Sequence, residues 1–295
     1  MKHIVKRVVS IICALVIFVS FSSISTQAAA PNTQDVIVSE YDYIVLVRTM
    51  APDELESLSL KSEQIQAMRS NSPELELLNR KEKTDAELSQ VYGYNKNEIS
   101  LLRTYHGENL ESNPSLAALT GTLTISQITV ALATSARVDM KVVWEWDHCP
   151  LVVAKDVLAI CWSPTFGSSN GNMRLNITKS SHTVTYKVGS SGSYTETSKF
   201  TSVSLNSSAK VEFQMEGPRD AWASKGLATL YFEAASGSAA LTEMDMIFAY
   251  GHTVVSTSPS VSFPPSFSIS FGLNTSDAGR RSGYVSVARR AWVDN

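Results

Sequence analysis

The sequence predicts an α+β protein: an antiparallel β-sandwich, or a barrel-like body, behind a small helical segment. Three observations carry this. Val138, Met140, Val142, Trp144 and Trp146 alternate with Arg137, Asp139, Lys141, Glu145 and Asp147, the pattern of a half-buried strand. Beyond residue 115, strand-like runs recur at roughly ten-residue spacing between turn signals, which favours a sandwich or barrel over a parallel sheet. Composition changes at the same place, from Glu/Leu/Lys-rich to Ser/Thr/Val-rich. The expected domains are therefore a leader (1–30), an acidic segment with one strand and several short helices (31–115), and a β-sandwich domain (116–295).

The leader reads as a cleavable signal peptide. Lys2, Lys6 and Arg7 precede an apolar run from Val8 to Phe21, shorter than the ~20 residues a membrane helix needs. Small residues follow, and cleavage fits after Ala28 or Ala30. Cys13 lies inside the run without a lipoprotein lead-in. The expected location is secreted, outside the cell.

In the front segment, Tyr43–Val47 is a β-like apolar run. Pro52 opens a helical region in which Ile65 and Met68 mark a face, and Ser72-Pro73-Glu74 starts the next helix. Thr84 with Glu87, and Asn95 with Glu98, read as two capping boxes. Gly93 separates their helices and Gly107 closes the second. The pair resembles a helix-turn-helix, but residues 31–115 carry 15 acidic and 8 basic side chains. A formal charge of −7 speaks against nucleic acid, and a compact helical hairpin that packs on the β body or binds another protein is expected instead.

In the β body, Leu123 and Ile125 alternate with Thr122, Thr124 and Ser126, and the phase shifts near Gln127 as at a bulge. A second apolar run, Val157–Trp162, matches the parity of the first. Paired as a hairpin with Cys149 opposite Cys161, it sets Leu158, Ile160 and Trp162 beside Trp144 and Trp146. That register, in an exported chain, predicts a Cys149–Cys161 disulfide worth roughly 3 kcal/mol, although Pro150 removes a ladder donor beside Cys149. Pro264-Pro265 breaks any strand and marks a crossing between sheets.

Catalytic signals are weak. Gly167-Ser168-Ser169-Asn170-Gly171 matches G-x-S-x-G but precedes a strand, where a nucleophile elbow needs a helix. His182 and His252 are histidines without a marked setting. His148 and Cys149 are adjacent on a strand and point apart, so no metal site is expected from Asp147, His148, Cys149 and Cys161. Glu243 and Asp245 share a strand face and read as solvated surface. Neither a P-loop, a dinucleotide fingerprint nor an EF-hand loop is present, and no cofactor is expected. Trp222, Tyr194 and Trp292 could form a sugar platform if exposed, but each is expected to be partly buried, and Arg280, Arg281, Arg289 and Arg290 could meet an anionic polymer or the acidic front segment.

These observations favour an exported non-enzymatic binding module whose partner is an extracellular glycan, a wall polymer or a protein. Two alternatives remain. Ser180–Gln214 alternates hydroxyl residues with Val, Tyr, Phe and Leu over two potential hairpins, and such hairpins resemble the membrane-inserting segments of β-pore-forming toxins. A membrane partner enters only on that reading. A secreted hydrolase would require His182 or His252 near a serine and a carboxylate.

Overall fold

The computed structural model describes residues 36–51, 72–168, 174–189, 192–204, 207–218, 220–253, 261–263, 268–271, 275–290 and 293–294. The leader, Pro52, Ile65, Met68, Ser169, Pro264, Pro265 and Trp292 lie outside them.

Antiparallel sheets dominate. Strand β1 (Val36–Ser39) leads into helix α1 (Glu40–Thr49), followed by α2 (Pro73–Lys81), α3 (Asp85–Gln90), α4 (Lys96–Thr104) and the short α5 (Pro114–Ala117). Then come β2 (Thr122–Thr134), β3 (Arg137–Trp146), β4 (Lys155–Phe166), β5 (Leu175–Val188), β6 (Gly192–Ser198), β7 (Thr201–Ser204), β8 (Ser208–Gln214) and β9 (Glu216–Gly217). The last are β10 (Ala221–Ala234), β11 (Leu241–Thr253), β12 (Val261–Ser262), β13 (Ser270–Phe271), β14 (Thr275–Ser286) and β15 (Val293–Asp294). One sheet runs β1-β2-β3-β10-β5-β6, with β9 added to β10; a second runs β15-β14-β11-β4-β8-β7; β12 and β13 pair separately.

The helix ends form where the side chains dictate. Ser72 accepts from the Leu75 amide ahead of Pro73, and both capping boxes, Thr84/Glu87 and Asn95/Glu98, close reciprocally. Gly93 turns with φ +89°, and a Cβ there would come within 3.1 Å of the Asp147 carbonyl. The helical hairpin can therefore lie directly on the β body. Trp222 Nε1 donates to the Val91 carbonyl and Cys149 N to the Tyr92 carbonyl.

The alternation in β3 is realised in full, with Val138, Met140, Val142, Trp144 and Trp146 all buried. In β2 the buried phase passes from Leu123 and Ile125 to Ile128, Val130 and Leu132, across a register shift between Ile125 and Gln127. Leu158, Ile160 and Trp162 join Trp144 and Trp146 in one apolar cluster, to which both large sheets contribute. Trp144 of β3 stacks on Phe213 of β8 at 5.2 Å, and Trp162 of β4 meets Phe232 of β10 at 5.0 Å.

The expected hairpin does not form. Strand β3 pairs with β2 and β10, while β4 pairs with β8 and β11 in the other sheet. Parity was right because each strand turns its even residues to the shared core, whichever sheet it occupies. The predicted disulfide fails with the hairpin. Cys149 and Cys161 are both free and buried; Cys149 belongs to the main core, and Cys161 packs with Ala159, Ala249 and Ile269 behind the second sheet.

A second correction concerns Tyr43–Val47, which is helical within α1, while the strand is the preceding Val36–Ser39, paired to β2. Tyr41 and Ile44 are spaced for one helix face and are buried. Acidic residues open α1 and Arg48 closes it, as the helix dipole favours. The Ser180–Gln214 tract does form two hairpins, β5–β6 and β7–β8, but in different sheets, joined by Lys199 and Phe200.

Gly226 stands in mid-strand opposite Trp144, and a Cβ there would collide with the indole. Gly226→Ala should therefore lower stability by about 1–3 kcal/mol through overpacking, read as a lower urea midpoint at unchanged slope. Both cysteines should react with a thiol reagent only after denaturation, and a reductant should leave the melting temperature unchanged.

Candidate functional site

A buried polar network links the front segment to the β body. Glu40, the first residue of α1, is held at the end of β1, where its amide donates to the Gly121 carbonyl at 3.2 Å. Its carboxylate accepts from the Leu151 amide at 2.6 Å and the Val152 amide at 3.0 Å. It also lies 3.1 Å from His252 Nε2. On the other edge of the ring, His252 Nδ1 is 2.9 Å from Asp156 Oδ2. Asp156 accepts from the Thr253 amide at 2.9 Å and from the Tyr250 hydroxyl at 2.7 Å, and Trp146 Nε1 donates to that hydroxyl at 3.1 Å.

Glu40, Asp156 and His252 are buried. Burial works against the imidazolium, but Asp156 and then Glu40 outweigh it and hold the pKa of His252 up, at about 10. Both ring nitrogens therefore carry protons and donate to the flanking carboxylates. The carboxylates sit on opposite edges of the imidazole and do not converge on a point where an ion could bind. Among the described residues, no group of three or more His, Cys, Asp or Glu side chains could hold a metal.

Arg80 of α2 makes the second buried link. Its guanidinium donates to the Tyr94 hydroxyl and the Cys149 carbonyl, each at 2.9 Å, and to the Pro150 carbonyl at 3.0 Å, with Glu76 at 3.1 Å. It also lies over the Tyr92 ring, 4.6 Å from the centroid. A fork of donors thus satisfies the carbonyls of the loop after β3. His148, in that loop, lies 3.1 Å from Glu98 of α4 and 3.0 Å from Asp147. Burial opposes its charge, but the two carboxylates raise its pKa overall.

Among the described residues, two clefts border this helical face. The larger, about 510 Å³, is lined by Tyr41, Val45 and Arg48 of α1, Ser72 and Glu74 at the start of α2, and Asn109 and Glu111. The smaller, about 190 Å³, lies between Ile44, Pro73, Leu75, Leu151 and Val152. Helix α1 borders both, and the amides that hold Glu40 belong to a wall of the second.

The residues singled out in the sequence are not gathered into one site. His182 is buried, accepts from Trp144 Nε1 at 3.1 Å, and has its pKa pushed down to about 3 by burial. His252 has two carboxylates but no serine among its hydrogen-bond partners. Ser168 follows the end of β4 and Ser169 is outside the described residues. Glu243 and Asp245 do share the outer face of β11, where burial raises the pKa of Asp245. Trp222 is fully rather than partly buried, with its indole N–H on the Val91 carbonyl. Tyr194 stacks on Tyr186 at 4.9 Å. Arg280 donates to the Ile269 carbonyl, and Arg289 and Arg290 are exposed in the turn after β14.

Sequence reasoning passed over Glu40, Arg80 and Asp156. A signal existed for Asp156, which shares parity with Leu158, Ile160 and Trp162 and so faces the same interior. None existed for Glu40, whose contact with His252 spans 212 residues.

Removing one member of a buried charged set leaves the others unpaired. Asp156→Ala should cost about 3–5 kcal/mol, measured by denaturant unfolding. The histidines set the pH profile. The raised pKa of His252 stabilises fully below about 6.5, and that contribution is lost as pH rises towards about 10. The depressed pKa of His182 acts oppositely: between about 6.5 and 3 the unfolded chain binds a proton that the folded chain refuses. Melting temperature should fall on both sides of about pH 6.5, and His252→Gln should flatten the alkaline limb.

No family model matches the chain, and no curated protein matches it. Among solved structures, Clostridium perfringens delta-toxin aligns at 8% identity over 59% of this chain and 73% of that chain, with a TM-score of 0.13. That score does not establish a common fold.

Proposed function

We propose that this protein is an exported, non-enzymatic binding module whose β-sandwich body presents an acidic helical face to an extracellular ligand. The ligand is a glycan, a wall polymer or a protein. One observation carries the reading: α1 borders both clefts, one within the front segment and one between it and Leu151 and Val152 of the body, and α1 is tied to the body through Glu40. A site for a pre-organised ligand needs rigid walls, and a buried charged anchor supplies one. The shared core of the two large sheets, with the Trp146–Tyr250 hydrogen bond between them, supports the sandwich description. The signal-like leader supports export.

A second reading, membrane activity, is favoured by the position of β6 and β7. Each is the terminal strand of its sheet, so the hydroxyl-rich hairpins lie where fewest ladder bonds must break.

A thermal-shift screen of the mature chain against wall fragments, host-type glycans and soluble proteins separates the readings. A ligand that binds only the folded form raises the melting temperature by mass action, and the module reading expects a reproducible rise with one class. No rise with any class, together with leakage from dye-loaded vesicles, would replace it with the membrane reading.

A further inference from the structure

We propose that the larger cleft of the front segment binds an amino sugar, a hydroxylated ring carrying a free, protonated amine. The proposal rests on the binding-module reading and names the ligand class of its principal site.

The charge of the lining sets the sign of the ligand. Arg48 is already committed: its Nη1 lies 3.0 Å from Glu74 Oε2, which also accepts from the Ser72 hydroxyl at 3.1 Å. Glu111 is exposed, and among the described residues its carboxylate accepts only a long contact of 3.4 Å from the Asn109 side-chain amide. Among the described residues, the lining therefore carries one uncompensated negative charge beside a neutralised pair.

A second observation is independent of charge. Tyr41 lines the same cleft at 4% exposure, and its hydroxyl has no hydrogen-bond partner. A buried orphan hydroxyl costs roughly 1–3 kcal/mol, which a ligand hydroxyl entering the cleft would recover. Burial raises the pKa of Tyr41, and Glu74 and Glu111 raise it further against the opposing Arg48, so the carboxylates outweigh the guanidinium around this hydroxyl.

The chemistry follows from those two features. An ammonium against Glu111 gains a charge-assisted hydrogen bond. Neighbouring ring hydroxyls find the Tyr41 hydroxyl and the Asn109 amide, while Val45 gives an apolar wall. The volume lies within the range of small-ligand pockets, about 300–1,000 Å³. A neutral sugar would leave Glu111 unanswered, and an anionic one would be repelled.

The test is calorimetric titration of the mature chain with three oligosaccharides: β-1,4-linked glucosamine, its N-acetylated counterpart and a neutral glucose oligomer. The proposal expects the free-amine oligomer to bind about tenfold or more tightly than the acetylated one. Glu111→Gln, at an exposed position, should abolish that preference. Tyr41→Phe should weaken binding about tenfold without lowering the melting temperature. Equal affinity for acetylated and free-amine forms, or a preference that survives Glu111→Gln, overturns the proposal. Binding of the neutral or acetylated oligomer alone overturns it while leaving the module reading standing. Binding of none of the three overturns it together with the glycan form of that reading.

Discussion

Charge buried between two carboxylates is the constraint on which the rest of this structure depends. Removing Glu40, Asp156 and His252 from water costs several kcal/mol per ion before any gain. The arrangement returns that cost only because the polar atoms are answered. Both nitrogens of His252 face carboxylates, Asp156 takes the Thr253 amide and Tyr250 hydroxyl, and Glu40 takes two loop amides. Such a set is unforgiving. It specifies one relative position for the start of β4, the end of β11, the loop after β3 and the first turn of α1.

That position leaves the open clefts outside the apolar core. The main apolar core, to which both large sheets contribute, is filled by Trp144, Trp146, Trp162, Phe232 and Tyr250, and the candidate histidines are consumed inside the molecule. The clefts lie instead on the helical face, where Arg80 clamps the Cys149-Pro150 carbonyls and Trp222 reaches Val91. Polar links through Glu40, Arg80 and Trp222 thus join the helical segment to the sheets. The front segment behaves as part of the body, with Thr33–Asn295 forming one compact unit.

Legibility in the sequence divided along physical lines. Side-chain parity is local, so the inward faces of β3 and β4, the bulge near Gln127 and both capping boxes could be read from the residues themselves. Strand partnership is not local. Nothing in Val157–Trp162 distinguishes a hairpin with β3 from membership of the opposite sheet, and the disulfide inferred from that hairpin failed for the same reason. Tyr43–Val47 was misread because a five-residue apolar run has no period long enough to separate helix from strand; Tyr41 and Ile44, one turn apart, were the better guide. The full burial of Trp222 rests on a partner, the Val91 carbonyl, that is 131 residues away. The buried network was half visible: Asp156 and His252 follow the parity of their strands, whereas Glu40 depends on a helix that the sequence did not announce.

The central claim is that the carboxylate of Glu40 fixes α1 to the β body. Native-state amide hydrogen exchange of Glu40→Gln against the unaltered chain tests it most directly, because exchange reports local opening residue by residue. The account predicts lost protection in α1 and at the Leu151 and Val152 amides, with the central strands β3 and β10 unchanged. Unaltered protection in α1 would show that the helix is held by apolar packing alone and would contradict the account.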